Sequence, residues 1–595
     1  MDALRRDPDA AADQLVALLR RLVEAQPDEL ACVIVDSEGE ERATLTYREY
    51  DTKARAVAAA LQEVAAPGDR AILFLPTSTD FLVSLLACAY SGVMAVPVPD
   101  GPSGATRLSG ILEDCEPRVL ITDATVAADP AKYGIDVTRF AVLVAAEVPD
   151  EQAEQLRPHT VHPDDVVIMQ YTSGSTSEPK GVLVSHRNVL ANLKDMAHAL
   201  PLREDERLIC VSWLPLFHDM GMVQIMHTLA QGGISVLMTP TSFIMHPRVW
   251  LETIGKYRAQ LATAPNFGYL MCVDRIPAAK RAGLDLSHWR YALNGSEPIH
   301  AETLDTFVDA FSSVGFDRTA LMPGYGLAES TFYVSGRPGH SQAYPLSIAA
   351  LENEGVVRPP VGDEPVRRLV TAGPVAPSVE VRIVDPDTRR ACAPDRVGEI
   401  WVRGEGIAAG YWRKDDGRFS AVIDGEDASV HYLRTRDFGV LIEDELYVLG
   451  RVDDVIILDG RNHFPQDLEL SAWESHEAIT PGRVAAFGYE RDGKVQIGLV
   501  AEVGRRFRPT APGAPAGPAR VDPREIVRAV RTAVTAEHQV PVADIVLVAG
   551  HGLPRTTSGK IQRRRARALY LADELKLWAP GHRAAAPAAT ETSPA

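Results

Sequence analysis

The sequence is that of an α/β protein: a large N-terminal domain of two α/β subdomains plus a β-rich subdomain, followed by a small mobile α+β C-terminal domain. Three observations carry this. Short apolar runs alternate with helix-like stretches through the first half of the chain. The texture changes to short strands and Gly/Asp/Pro turns near Arg368, and a second alternating unit begins near Arg451. At 595 residues the chain also exceeds what one hydrophobic core usually serves.

Taken in order, Asp13 to Leu22 carries apolar positions at helical spacing, and LTYREY opens a second helix running to about Val64. The runs RAILFLP (70–76), VMAVPVP (93–99), RVLITD (118–123), FAVLVAA (140–146), VVIMQYTS (166–173), LICVSWL (208–214) and ISVLMTP (234–240) lie between helical stretches. Runs of this length, apolar on both faces, suggest buried parallel strands. VEVRIVDP, GEIWVRG and LYVLGRVDDVIIL read as the β-rich part. AAFGYE, QIGLVAEV and ADIVLVAG supply strands to the C-terminal unit, and 505–520 reads as a mobile Pro/Gly/Ala loop. The expected divisions are 1–450, 451–578 and a disordered tail, 579–595.

A formal charge of -19 argues against broad nucleic-acid or anionic-membrane binding, because the summed field repels phosphate. No segment approaches ~18 consecutive apolar residues, and the N-terminus has no apolar leader region, so a cytoplasmic protein is expected. Six cysteines at irregular intervals form no CxxC pair, which predicts reduced thiols and no zinc site.

The strongest chemical signal is the run Tyr171 to Gly181, YTSGSTSEPKG. Small hydroxyl residues around Gly174 let backbone N–H groups and side-chain oxygens close around phosphate, and Lys180 adds a charge. The Walker A spacing is absent. PGYGLAEST (323–331) places Tyr325 four residues before Glu329, an aromatic face for adenine and a carboxylate for Mg²⁺. LRTRDFGVL carries Asp437, a carboxylate able to accept two ribose hydroxyls. GRVDDVIIL carries Arg451, and LPRTTSGKIQRRRAR carries Lys560 in a polar loop. Each alone reads more readily as a core aromatic, a turn aspartate or a surface lysine.

In this order, however, the segments resemble the motifs of the adenylate-forming superfamily, which includes acyl-CoA synthetases, luciferases and peptide-synthetase adenylation domains. The resemblance spans about residues 20–575. It implies that Thr172, Ser173, Gly174, Ser175 and Thr176 with Lys180 form the phosphate loop. It implies that Gly295, Ser296, Glu297, Tyr325, Gly326 and Leu327 line the nucleotide site, and that Thr176 and Glu329 serve Mg²⁺. Asp437 and Arg451 would hold the ribose, Asp453 would be the hinge, and Lys560 would bridge the reacting carboxylate and the α-phosphate.

WLPLFHDMGMV (213–223), TPTSFIMHPRVWL (239–251), APNFGYL (264–270), ALNGSEPI (292–299) and DGRNHFPQDLE (459–469) are similar to fatty acyl-AMP ligases in particular. So is a long stretch after Glu329, about 336–370, matching an insertion that in those enzymes goes with poor use of coenzyme A. The resemblance implies ATP and Mg²⁺ as cofactors and a fatty or related carboxylic acid as substrate. It also implies His218 as a gate beside the reacting carboxylate, and an acyl carrier protein, or a polyketide or peptide synthase carrier domain, as acceptor. An acyl- or aryl-CoA synthetase is the alternative, and acceptor choice separates the two. An apolar stretch, Tyr344 to Leu351, is expected to dock as a short helix, and Arg563, Arg564, Arg565 and Arg567 form a basic cluster suited to an acidic carrier.

Overall fold

The computed structural model of the chain describes residues 15–100, 105–172, 179–203, 205–458, 460–491, 493–509, 520–556, 559–579 and 583–585. Two sheets built on parallel strands form the body of the N-terminal part. One has the order Ala141–Val144, Val119–Thr122, Arg70–Phe74, Met94–Pro97, Val166–Tyr171, Gly181–Ser185, parallel except for the last pair. The other places Leu321–Tyr325, Tyr291–Asn294, Leu261–Ala264, Ile209–Ser212, Ile234–Leu237 and Leu30–Val35 side by side in parallel, with a short antiparallel strand at each edge. All seven apolar runs singled out in the sequence are strands of these sheets.

The helices start where local chemistry dictates. Tyr47–Val64 opens on a capping box: the Thr46 side chain accepts from the Glu49 backbone N–H, and the Glu49 carboxylate accepts from the Thr46 N–H. Leu15–Ala25, the first helix among the described residues, buries Leu15, Leu18, Leu19 and Leu22 on one face. One continuous core joins both sheets and reaches as far as Tyr411.

Beyond it, Val379–Val384, Gly398–Gly404, Leu433–Ile442 and Glu445–Arg451 make an antiparallel meander. The C-terminal unit has its own core around Leu468, Ile497, Leu499, Ile526, Val530 and Ile545. Its sheet orders Ile479–Arg491, Lys494–Val503, Val542–Val548 and Arg583–Ala585.

Two expectations change here. Arg583–Ala585 pairs antiparallel with Val542–Val548, in a stretch whose composition reads as disordered. That strand has an open edge, and a short segment with unpaired backbone groups satisfies it. Within 336–370 the short helix expected over Tyr344 to Leu351 is only half there: Ala343–Ser347 is a strand paired antiparallel with Val366–Val370, and the helix enclosed between them is Ile348–Glu354. In the Pro/Gly/Ala stretch, 510–519 lies outside the described residues, while Arg508–Pro509 and Arg520–Val521 pair in parallel at its base.

Candidate active site

The parallel strands of the eight-stranded sheet deliver their C-terminal ends to one place, the crevice where ligands bind in open α/β sheets. Tyr325 ends the strand Leu321–Tyr325, and Ser296 and Glu297 follow Tyr291–Asn294. His218 follows Ile209–Ser212 as the N-cap of the helix Asp219–Ala230. The C-terminal unit closes the crevice from the other side and brings Lys560. The result is a cavity of about 1140 Å³, lined by Thr172, Lys180, His218, Asp219, Ser296, Glu297, Tyr325, Gly326, Leu327, Glu329, Asp437, Arg451, Asp453 and Lys560 among others.

Most of the residues singled out in the sequence therefore line one cavity. Ser173, Gly174, Ser175 and Thr176 lie outside the described residues. The base of their loop is closed by a hydrogen bond from the Thr172 N–H to the Lys180 carbonyl, 3.3 Å. Gly295 stands behind the wall. A Cβ there would lie 3.0 Å from the Gly324 carbonyl oxygen, so it serves the close approach of two strand ends. Gly326 is more demanding: a Cβ would sit 1.5 Å from the Phe332 carbonyl oxygen. Ser296 holds a left-handed φ of 68°, backbone strain of the kind that gathers at functional sites.

The charges are closely matched. The Tyr325 hydroxyl donates to Asp437 Oδ2 at 2.6 Å, and Arg451 Nε lies 3.7 Å from Asp437 Oδ1. Burial pushes the Asp437 carboxyl up, and Arg451 and the Tyr325 hydrogen bond oppose it. Glu297 Oε1 accepts from the Phe267 N–H at 2.7 Å. Burial raises Asp219 and Glu297, while Lys560 pulls both back. Lys560 is itself lowered by burial, and Asp219 and Glu297 work against that. This cation from the C-terminal unit thus shares the cavity with two carboxylates of the N-terminal part that favour its charged form.

Asp453 sits in the turn that leaves the meander. It pairs with Arg436 of the N-terminal part at 2.5 Å and faces Arg564 of the C-terminal unit at 3.6 Å. Among the described residues no group of three His, Cys, Asp or Glu side chains converges as a metal cage. One hard carboxylate, Glu329, on the cavity wall fits a Mg²⁺ that arrives on triphosphate oxygens and keeps its own waters.

Sequence reasoning missed Tyr411, Asp416 and Arg418, which also line the cavity. Lys180 pairs with Asp416 at 2.9 Å and lies 4.9 Å from the centre of the Tyr411 ring. The only local signal is a Gly-Tyr-Trp step followed by mixed charges, which reads as a surface turn. One expectation is corrected: Arg563 is not a free surface charge. It is clamped to Glu469 at 2.6 Å and Asp454 at 3.2 Å, leaving Arg564, Arg565 and Arg567 exposed.

A second cavity of about 920 Å³ opens from the same point. Its N-terminal wall includes Trp213, Leu214, Met220, Ile244, Phe267, Leu270 and Met271, and its C-terminal wall includes Arg483, Thr556, Gly559 and Lys560. His218, Asp219, Ser296, Arg483 and Lys560 belong to both spaces. A carboxylate-rich chamber and one with an apolar N-terminal wall thus meet at a lysine.

The family described as AMP-binding enzyme matches residues 19–412. The chain belongs to it. The medium-chain-fatty-acid–[acyl-carrier-protein] ligase JamA of Moorena producens is 37% identical, over 90% of this chain and 91% of that protein. The long-chain-fatty-acid–AMP ligase FadD32 of Mycolicibacterium smegmatis is 34% identical over 96% of each. Among solved structures, the fatty acyl-adenylate ligase of Legionella pneumophila in complex with acyl adenylate and pyrophosphate superposes with a TM-score of 0.72. It is 34% identical, over 96% of this chain and 97% of that one. Among the described residues of this AMP-binding enzyme, no helix is long and apolar enough to cross a membrane.

Proposed function

We propose that this protein is a fatty acyl-AMP ligase: it converts a fatty or related carboxylic acid and ATP to acyl-AMP and pyrophosphate. It then passes the acyl group to the phosphopantetheine thiol of a carrier protein in the cytoplasm. The observation that carries the reading is the meeting of two chambers at Lys560, one suited to a nucleotide and one to an apolar chain. The named activities of its relatives agree with it.

In the first step a carboxylate oxygen attacks the α-phosphorus in line, a new P–O bond forms, and pyrophosphate leaves. Charge gathers on the phosphoryl oxygens. Lys560 is positioned to donate to them, and its burial makes that interaction stronger than in water. Tyr325 stacks on adenine while its hydroxyl holds Asp437, and Asp437 with Arg451 takes the ribose. Thr172 and Lys180 anchor the phosphate loop, and His218 stands beside the reacting carboxylate. Mg²⁺ bound on the triphosphate, with Glu329 and Thr176 as its protein ligands, would neutralise phosphate charge.

Carrier protein over coenzyme A as acceptor is favoured by the 336–370 insertion. Its Leu346, Leu351 and Leu369 are buried with Phe464 of the C-terminal unit, Glu352 contacts His463 and His538, and Arg367 pairs with Asp467 at 2.7 Å. These contacts restrain the turn of that unit about Asp453, and a carrier's own docking contacts can offset the restraint. The test is pyrophosphate release across a panel of carboxylic acids, followed by acceptor assays with coenzyme A and a phosphopantetheinylated carrier. Release with fatty acids and thioester formation on the carrier alone are expected. Efficient acyl-CoA synthesis would move the protein to the synthetase class.

A further inference from the structure

Tyr411 and Arg418 stand against Glu329, and nothing above gives them a task. The Tyr411 hydroxyl donates to Glu329 Oε1 at 2.5 Å and accepts from Arg418 Nη1 at 2.8 Å. The same Nη1 lies 3.5 Å from Oε1. The guanidinium is tied down from behind: Nε donates to the Arg434 carbonyl at 2.9 Å and Nη2 to the Thr435 carbonyl at 3.0 Å. Tyr411 is fixed as well, with the Phe419 ring edge-on at 5.1 Å and Lys180 Nζ 4.9 Å from its ring centre. Tyr411 is 5% exposed and Glu329 8%, so water competes little for these bonds.

The arrangement is more specific than a buried ion pair needs. A planar guanidinium held at two carbonyls cannot follow a wandering carboxylate, and it sets a direction for it. The contacts with Tyr411 and Arg418 both fall on Oε1, which makes Oε2 the oxygen available to a hard cation. Mg²⁺ tolerates little departure from octahedral geometry, and partners behind a ligand commonly decide how well that ligand binds. All three side chains belong to the N-terminal part, so their geometry does not depend on where the C-terminal unit stands.

We propose that Tyr411 and Arg418 are positioning residues for the metal-binding carboxylate. They lock Glu329 through Oε1 and present Oε2 to the Mg²⁺ carried on ATP. The inference rests on the adenylate-forming reading, and its test separates the two. Binding of ATP to the full-length protein is measured calorimetrically over a range of Mg²⁺ concentrations, for the wild type, Tyr411→Phe and Arg418→Gln. Thermal unfolding of each is recorded alongside.

The half-saturating Mg²⁺ concentration is expected to rise roughly 10-fold in both variants, the scale of one lost hydrogen bond to a charged group. Pyrophosphate release should show the same displacement. Arg418 also repels the metal, so a fall in the Mg²⁺ requirement of Arg418→Gln would overturn the proposal and mark the arginine as a competitor. Tyr411→Phe leaves both carbonyl anchors intact and decides the matter if Arg418→Gln fails to fold. A folded Tyr411→Phe protein with an unmoved Mg²⁺ requirement overturns the proposal. A wild type that binds no Mg-ATP overturns the adenylate reading and this inference with it.

Discussion

The cavity around Lys560 and the contact between the insertion and the C-terminal unit are built from the same kinds of residue, put to opposite use. In the cavity, Asp219, Glu297, Glu329 and Asp437 line about 1140 Å³ of open space together with Lys180, Arg418, Arg451 and Lys560. At the insertion contact, Glu352, His463 and His538 are at least as deeply buried and do not themselves line that cavity. Glu352 Oε1 lies 3.0 Å from His463 Nδ1 and 3.1 Å from His538 Nδ1, and His538 Nε2 meets the Ser471 hydroxyl at 2.8 Å. Leu346, Leu351 and Phe464 pack around that contact. The first arrangement keeps charge available for a ligand, and the second uses it to hold two parts of one chain together.

The sharpest break of the comparison is Lys560→Ala. It should lower acyl-AMP formation by on the order of 10²-fold or more, because a donor aimed at developing charge is lost, while thermal unfolding stays unchanged. Transfer from supplied acyl-AMP should persist. Pyrophosphate release near the wild-type rate would remove Lys560 from the role given to it.

At the other region the effect should be conformational. Glu352→Gln keeps the shape and removes the charge facing two histidines. Losing a charged hydrogen bond should cost about 2 kcal/mol of local stability, roughly 30-fold faster opening of 348–354 in hydrogen exchange. Adenylation should be spared and some acyl-CoA should appear. Unaltered exchange with full acyl-CoA exclusion would mean that Glu352 does not hold the contact.

The same contact should weaken as pH rises. Burial disfavours the charged His538 ring, but Glu352, Asp467 and Glu537 outweigh it and raise its value above 6.5. Burial pushes Asp467 up to about 6, against Arg367 and His538. Raised values contribute stability that is present at low pH and lost as pH climbs through them. Glu352 runs the other way. Burial would raise it, yet the adjacent His463 and His538 rings hold it below 4.5, so its contribution is lost only in more acid solution. Protection of 348–354, corrected for intrinsic exchange, should therefore fall first as pH rises to about 6, where Asp467 ionises, and again above 6.5 as His538 loses its proton. A flat profile would count against the histidine pair.

The smallest expected effect is Arg564→Glu with Arg565→Glu, which should slow transfer to an acidic carrier several-fold at low salt and leave adenylation intact. Equal loss of both half-reactions would indicate damage through the Arg564–Asp453 pair instead.

Legibility in the sequence follows the same division. The apolar run at 70–76 is a strand at Arg70–Phe74, because burial on both faces of a parallel sheet writes itself locally. Tyr325, Glu329, Asp437 and Lys560 were legible because each sits in a short motif and all reach one cavity. Tyr411 was not, since its bond to Glu329 spans 82 residues and its own neighbourhood reads as a turn. Glu352 and His538 are 186 residues apart, and neither carries a local mark of the other. Arg583–Ala585 was missed for a related reason: the open strand edge that orders it belongs to Val542–Val548.

The wall shared by the two chambers sets the timing of release. Arg483, Thr556, Gly559 and Lys560 all belong to the C-terminal unit and line both spaces. The group proposed to promote formation of the mixed anhydride is therefore also the one standing where the two spaces join. On the proposed mechanism an acyl-adenylate sits against Lys560 until the C-terminal unit turns about Asp453, and that turn opens it to whichever nucleophile arrives first. Guarding a hydrolysable intermediate then requires no separate lid, only that a carrier's thiol reach the opening before water does.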